Sequence, residues 1–267
     1  MRRAAGLDAG RPRVSDKMTA QEIAARTREA ERQMARLFSS ERPFSAHLTK
    51  WEDPLLPDKY DFNCFFCSGQ PQAEEIAAAL RYQKETGAAF LKLESDAPLQ
   101  NSFGLEQSVT LTMALTAPCD GWNRNPFVTF GRPTLAEAEA LEVRHYGPVY
   151  GEDFTRRNIR RMYRKLDYHG AYLNGRLAGI CYTFESGGCV CLDGLLTDER
   201  SRGKGVATTL LRQLAGQSKD KLFFLHADAD DTPRQMYEKL GFRAVDTLYE
   251  YLCTDLALLC PPGFSED

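Results

Sequence analysis

The chain has 267 residues, 43% of them hydrophobic and 27% charged, with a formal net charge of -3. That balance is the composition of a globular protein rather than a disordered one, long enough for about two domains. The weak negative charge gives no general pull toward nucleic acid or an anionic membrane, and no apolar run is long enough to cross a bilayer as a helix.

Residues 1–17 carry arginines but no apolar stretch, so a disordered tail is expected rather than a secretory signal. From Thr19 the pattern turns helical, with a Thr-x-x-Glu start at Thr19–Glu22 and Ile23, Ala30, Met34 and Leu37 on one face. Lys50 to Ser68 reads as loop and strand. Ala73 to Glu85 reads as a helix closed by Gly87, and strands are expected at Ala88–Leu93 and Val109–Leu115. These elements form an N-terminal α/β domain over 18–117. The segment 118–126 is dense in turn residues and reads as a linker to a second domain over 127–260.

The second half opens with a strand at Phe127–Phe130. A helix starts at the box Thr134-x-x-Glu137, and Asp153–Leu166 is amphipathic, with Ile159, Met162, Tyr163 and Leu166 on one side. Three strands follow as an antiparallel meander, turned at Asn174-Gly175 and at Ser186-Gly187-Gly188. The third, Cys189–Thr197, leads into Arg202-Gly203-Lys204-Gly205-Val206-Ala207 and then a helix. After a strand at Leu222–Leu225, Thr232-Pro233-Arg234-Gln235 starts a short helix that Gly241 ends, and the last strand runs from Phe242 to Leu252.

A glycine-bearing junction between a strand end and a helix start leaves main-chain amides free at the positive end of the helix dipole. Gly203 and Gly205 let a phosphate approach those amides, and Arg202 and Lys204 add charge, so the segment reads as a diphosphate cradle. Neither the Walker spacing nor the three-glycine dinucleotide fingerprint is present.

The segment resembles the hallmark of the GNAT superfamily of acetyltransferases, Gln/Arg-x-x-Gly-x-Gly/Ala. A second family segment is matched by Asp230 through Phe242, which ends in Tyr237-Glu238-Lys239-Leu240-Gly241-Phe242. The resemblance spans about Phe127 to Leu252. It implies an α/β (α+β) GNAT fold, a mixed and mostly antiparallel sheet flanked by helices. It also implies an enzyme that moves an acetyl group from acetyl-CoA, its co-substrate, to a primary amine by direct attack; a cytoplasmic setting with reduced thiols is expected from the lack of a secretory signal. Leu195, Leu196 and Thr197 are expected to pair with the pantetheine arm, Arg202 to Ala207 to hold the diphosphate, and Tyr237 to protonate the departing thiolate. Asp230 stands where the family has Asn, and so would accept hydrogen bonds rather than donate them. Cys191 stands where some members carry a Glu, and Asp193, on the same strand face, is the expected base.

The expected partner is a small-molecule or peptide amine, not nucleic acid or membrane, and a homodimer is compatible with the reading. Another acyl-CoA donor, or a non-catalytic acyl-CoA-binding module, stays open as an alternative. Tyr146, Tyr150 and Asp153 are candidate substrate contacts. The run Arg156, Arg157, Arg160, Arg161, Arg164 and Lys165 reads as a solvated helix face, and His47, His145, His169 and His226 show no metal or triad spacing. No metal is expected: of eight cysteines, Cys64, Cys67, Cys189 and Cys191 read as buried thiols, with a zinc site the alternative. Gly104–Leu115 and Gly241–Leu252 align without gaps, which suggests that the first half is a degenerate GNAT-like repeat. Ser68-Gly69-Gln70-Pro71-Gln72 stands there in place of the glycine motif.

Overall fold

The computed structural model describes residues 14–117, 119, 121–230, 232–257 and 259. The tail expected at 1–17 therefore lies mostly outside the described residues. Its end, Val14–Lys17, is a turn of 3₁₀ helix, where the Ser15 hydroxyl donates to the Leu115 carbonyl at 3.1 Å. The chain forms two compact units. Among the described residues, one comprises those up to Ala30, Met113–Leu225 and Gln235–Val245; the other comprises Glu31–Thr112, His226–Arg234 and those from Asp246 on. This interleaving differs from the single cut expected at 118–126. The first half of helix α1 (Ala20–Ala35) packs Ile23 and Ala30 with Ala114, Cys189, Cys191, Leu222 and Phe224, all residues of the first unit.

The first unit holds β6 (Val128–Gly131), α3 (Leu135–Tyr150), α4 (Glu152–Lys165), β7 (Asp167–Leu173), β8 (Arg176–Ser186), β9 (Cys189–Thr197) and α5 (Val206–Gln217). It also takes most of β10 (Leu222–Asp228) and α6 (Thr232–Lys239), and the start of β11 (Phe242–Cys253). Its strands run in the order β10-β9-β8-β7-β6, with β10 and β9 parallel and the rest antiparallel. Local chemistry sets the corners. Thr134 and Glu137 form a reciprocal capping box that starts α3. Asn174 and Gly175 take φ of 53° and 73°, as a two-residue hairpin turn demands.

The second unit holds β1 (Ser40–Pro43), β2 (Leu48–Glu52), β3 (Phe65–Cys67), α2 (Ala73–Glu85), β4 (Leu91–Ser95) and most of β5 (Glu106–Leu115). Here the order is β1-β2-β3-β4-β11, with β3 and β4 parallel. Leu48, Phe65, Ile76, Leu80, Leu93 and Tyr251 are its core. Strand β1 has no sequence signature: Ser-Glu-Arg-Pro is exposed throughout and holds a proline, which an edge strand tolerates.

Both units thus contain a strand, a helix and a strand parallel to the first: β3-α2-β4 and β9-α5-β10. Gly104 and Gly241, which precede β5 and β11, are both left-handed, at φ 79° and 87°. The element between β3 and α2 is filled by its own protein. The Glu75 carboxylate accepts from the Gln72 amide at 2.9 Å, the His47 amide at 3.0 Å, His47 Nδ1 at 2.8 Å and the Ser45 hydroxyl at 2.5 Å. Burial raises the Glu75 pKa, but these hydrogen bonds outweigh it and lower it to about 2.

A depressed carboxyl stabilises the fold above its unfolded pKa and stops doing so as pH falls through its folded one. Glu75→Gln is therefore expected to cost about 2 kcal/mol in urea unfolding at pH 7. The gap between variant and parent should close as pH falls from about 4.5 toward 2; a gap independent of pH would rule this out.

Candidate functional site

Strand β9 ends at Thr197, Glu199–Ser201 make a 3₁₀ turn, and α5 begins at Val206. Between them Gly203 and Gly205 sit at φ 73° and 70°, where a side chain costs about 1–2 kcal/mol per residue. Gly205 is the N-cap of α5 and offers no capping side chain. Among the described residues, no acceptor meets the amides of Gly203, Gly205, Val206, Ala207 and Thr208. A Cβ on Gly203 would meet nothing within 4 Å, and one on Gly205 would lie 3.8 Å from Asn125 Cβ. The loop is an open nest of donors at the positive end of a helix, shaped for an anion.

The segment expected as a linker holds this loop from behind. The Asn125 side chain donates to the Lys204 carbonyl at 2.8 Å, and its amide donates to Thr209 Oγ at 2.9 Å. Thr209 in turn donates to the Gly205 carbonyl at 2.6 Å, and the Arg212 guanidinium donates to the Trp122 carbonyl. Trp122 is buried beside Phe242, with ring centroids 6.0 Å apart. Turn-forming composition concealed this role, although a tryptophan in a supposed linker was a signal that the segment is packed.

Strand β9 is broken open at its C-terminal end. Registered pairing with β10 stops at Leu192↔Leu225, and on the other side the pairing with β8 shifts between Ile180 and Tyr182. Gly194, at φ 62°, is the residue that allows this bulge. Leu196 pairs with Ile180 and Thr197 with Gly179, so the β10-facing edge of Leu195–Thr197 is left without registered pairing.

The bulge aims Asp193 into a set of tyrosines. Tyr182 Oη donates to Asp193 Oδ2 at 2.9 Å, and the Gly194 amide donates to Oδ1 at 2.6 Å. Tyr182 lies 5.4 Å from Tyr168, whose hydroxyl points at Glu142 of α3 from 3.5 Å. Burial, then Glu142 and Asp193, push the Tyr146 phenol up to about 12; the same causes push Tyr168 up further. Tyr150 stacks on from Tyr146 at 6.2 Å and is exposed, while Asp153 faces solvent. Asp193, Tyr146 and Tyr150 were candidates from the sequence; Tyr168, Tyr182 and Glu142, which lie with them, were not. The one available sign was an acid, Glu142, on the inward face of α3 beside Ala138 and Leu141.

Tyr237 is buried on α6, 5.8 Å from the Phe242 ring, and so joins the aromatic cluster of Phe242, Phe223 and Trp122. Asp230 is exposed, its amide donating to Asp228 Oδ1 at 2.9 Å. The arginine run is only partly solvated: Arg156 and Arg160 clamp Glu139 at 2.7 and 2.8 Å. His47 pairs with Glu75 and His226 with Glu31, each at 2.8 Å. Cys64, Cys67, Cys189 and Cys191 are buried, and burial pushes the Cys67 thiol up to about 12. Among the described residues, no three His, Cys, Asp or Glu side chains are grouped to hold a metal, and no helix is long and apolar enough to cross a membrane.

Residues 135–242 match the model of the acetyltransferase (GNAT) family. No curated protein matches the chain. Among solved structures, the chain is similar to a functionally unknown conserved protein from Staphylococcus epidermidis ATCC 12228, with 15% identity over 91% of this chain and 100% of that one and a TM-score of 0.71. It is also similar to a GCN5-related N-acetyltransferase from Kribbella flavida, with 16% identity, 91% and 96% coverage and a TM-score of 0.61. A tandem GNAT protein from the clavulanic acid biosynthesis pathway shares 14% identity over 81% of this chain and 78% of its own, with a TM-score of 0.52. Identities this low speak to the fold, which is the GNAT arrangement of a mostly antiparallel sheet flanked by helices.

Proposed function

We propose that this chain, whose residues 135–242 form a domain of the acetyltransferase (GNAT) family, transfers an acetyl group from acetyl-CoA to a primary amine. The observation that carries the reading is the set of amides at Gly203, Gly205, Val206, Ala207 and Thr208, which meet no acceptor among the described residues, at a helix start whose two glycines leave the approach open.

In this reading Arg202 to Ala207 hold the diphosphate, and the unpaired edge of Leu195, Leu196 and Thr197 hydrogen-bonds the pantetheine arm as an added strand would. Asp230 accepts a hydrogen bond from the cofactor. The amine enters among Tyr146, Tyr150 and Tyr182 and loses a proton to Asp193, directly or through water. Its lone pair forms the C–N bond at the thioester carbonyl, the C–S bond breaks, and the sulfur takes a proton from Tyr237. Main-chain amides near the bulge stabilise the oxyanion. No acyl-enzyme forms, so no nucleophilic Ser or Cys is needed.

The test is calorimetric titration of the whole chain with acetyl-CoA, followed by thiol release in the presence of a panel of primary amines. Stoichiometric binding with amine-dependent release is expected. Absence of binding overturns the reading; binding without release for any acyl donor or amine leaves a non-catalytic acyl-CoA module instead.

A further inference from the structure

A cavity of about 560 Å³ opens beside the glycine loop, lined by Arg144, Arg176, Asp198, Arg200, Ser201 and Lys204 among others. Its volume falls within the roughly 300–1,000 Å³ of small-molecule sites. Its charge runs against the chain, which is net negative at -3. Four cationic side chains converge there and only one acid, Asp198. That acid is already committed: Oδ2 pairs with Arg144 at 2.6 Å and Oδ1 accepts from the Arg200 amide at 3.0 Å. Arg176 and Arg200 have no carboxylate partner among the described residues, and the Lys204 ammonium reaches only the Arg200 carbonyl, at 2.6 Å. Three exposed positive charges therefore face one polar hollow unneutralised.

We propose that this cavity, which adjoins the amide nest and shares Lys204 with it, is an anion site for a phosphate group carried on a larger body. Planar guanidinium groups from two elements, β8 and the loop after β9, suit the forked geometry of a phosphomonoester. The phosphate has two sources, the 3′-phosphate of the cofactor or a free phosphorylated metabolite. The first source rests on the acetyl-CoA reading; the second does not.

The probes are acetyl-CoA, its 3′-dephospho analogue and inorganic pyrophosphate, titrated into the parent chain and into Arg176→Ser/Arg200→Ser. Both changes are on the surface and outside the glycine loop, and circular dichroism with a melting curve confirms the fold. If the cofactor supplies the phosphate, the parent binds acetyl-CoA at least about tenfold more tightly than the dephospho analogue, and the double variant loses that preference. If the source is free, the parent binds both alike and also takes one pyrophosphate in the presence of saturating acetyl-CoA; the double variant takes none. Pyrophosphate binding lost in the variant, with no acetyl-CoA binding in either protein, would sink the transferase reading and keep this one. Affinities for all three probes unchanged by the double substitution overturn the site.

Discussion

Gly205→Glu is expected to weaken acetyl-CoA binding at least about 100-fold, equivalent to about 2.7 kcal/mol. Two effects act at this position and separate cleanly. At φ 70° any side chain pays left-handed strain, about 1–2 kcal/mol of stability, shared by Gly205→Ala and Gly205→Glu. Only the glutamate adds a negative charge at the mouth of the amide nest. A unit charge about 4 Å from a phosphate oxygen, in surroundings of intermediate polarity, is worth about 4 kcal/mol of repulsion. Calorimetry should show Gly205→Ala within about tenfold of the parent, while both variants lose similar amounts of thermal stability. Equal affinity losses in the two would mean that shape rather than charge governs the loop. An unchanged Kd for Gly205→Glu would remove the loop from the cofactor site.

How much of this was legible in the sequence depends on whether the signal was local. Helices α2 and α3 were readable to within a residue at their starts; for α3 the sign was the Thr134-x-x-Glu137 box, which closes as read. The hairpin at Asn174-Gly175 was equally plain. Strand β1 was not, since an exposed edge strand needs no apolar alternation. The conformation of the glycine loop was legible because left-handed main-chain geometry is what glycine spacing encodes, and Gly203 and Gly205 both adopt it. The tyrosine set around Asp193 did not, because Tyr146 on α3, Tyr168 on β7 and Tyr182 on β8 meet only through the fold. The contacts that 121–126 makes with the glycine loop were hidden for a related reason. Turn residues reveal a lack of regular structure, and Asn125, irregular in backbone, is bonded on both its amide and its side chain. The interleaved units were likewise out of reach, since nothing along the sequence of α1 says that Ile23 packs with Cys189 and Phe224.

Gly194→Ala is expected to lower kcat/KM about 100-fold, the scale on which a displacement of about 1 Å at a reacting group is felt. A Cβ built there would stand 2.5 Å from Cε1 of Tyr182 and 2.9 Å from Cδ1, distances no carbon pair sustains. Because φ is 62°, the backbone gains nothing by holding still, and the ring must swing off the bulge. Tyr182 then releases Asp193 Oδ2, and the carboxylate loses the phenol that aims it. Tyr182→Phe, which keeps the ring and removes only the hydroxyl, should cost much less, about tenfold. The decisive measurement is a double-mutant cycle on thermal stability. If the clash is the cause, Gly194→Ala should cost about 1–3 kcal/mol less in a Tyr182→Ala background than in the parent, since no ring remains to be displaced. Strictly additive losses would mean that the bulge itself, and not the tyrosine seated on it, is what the methyl group disturbs.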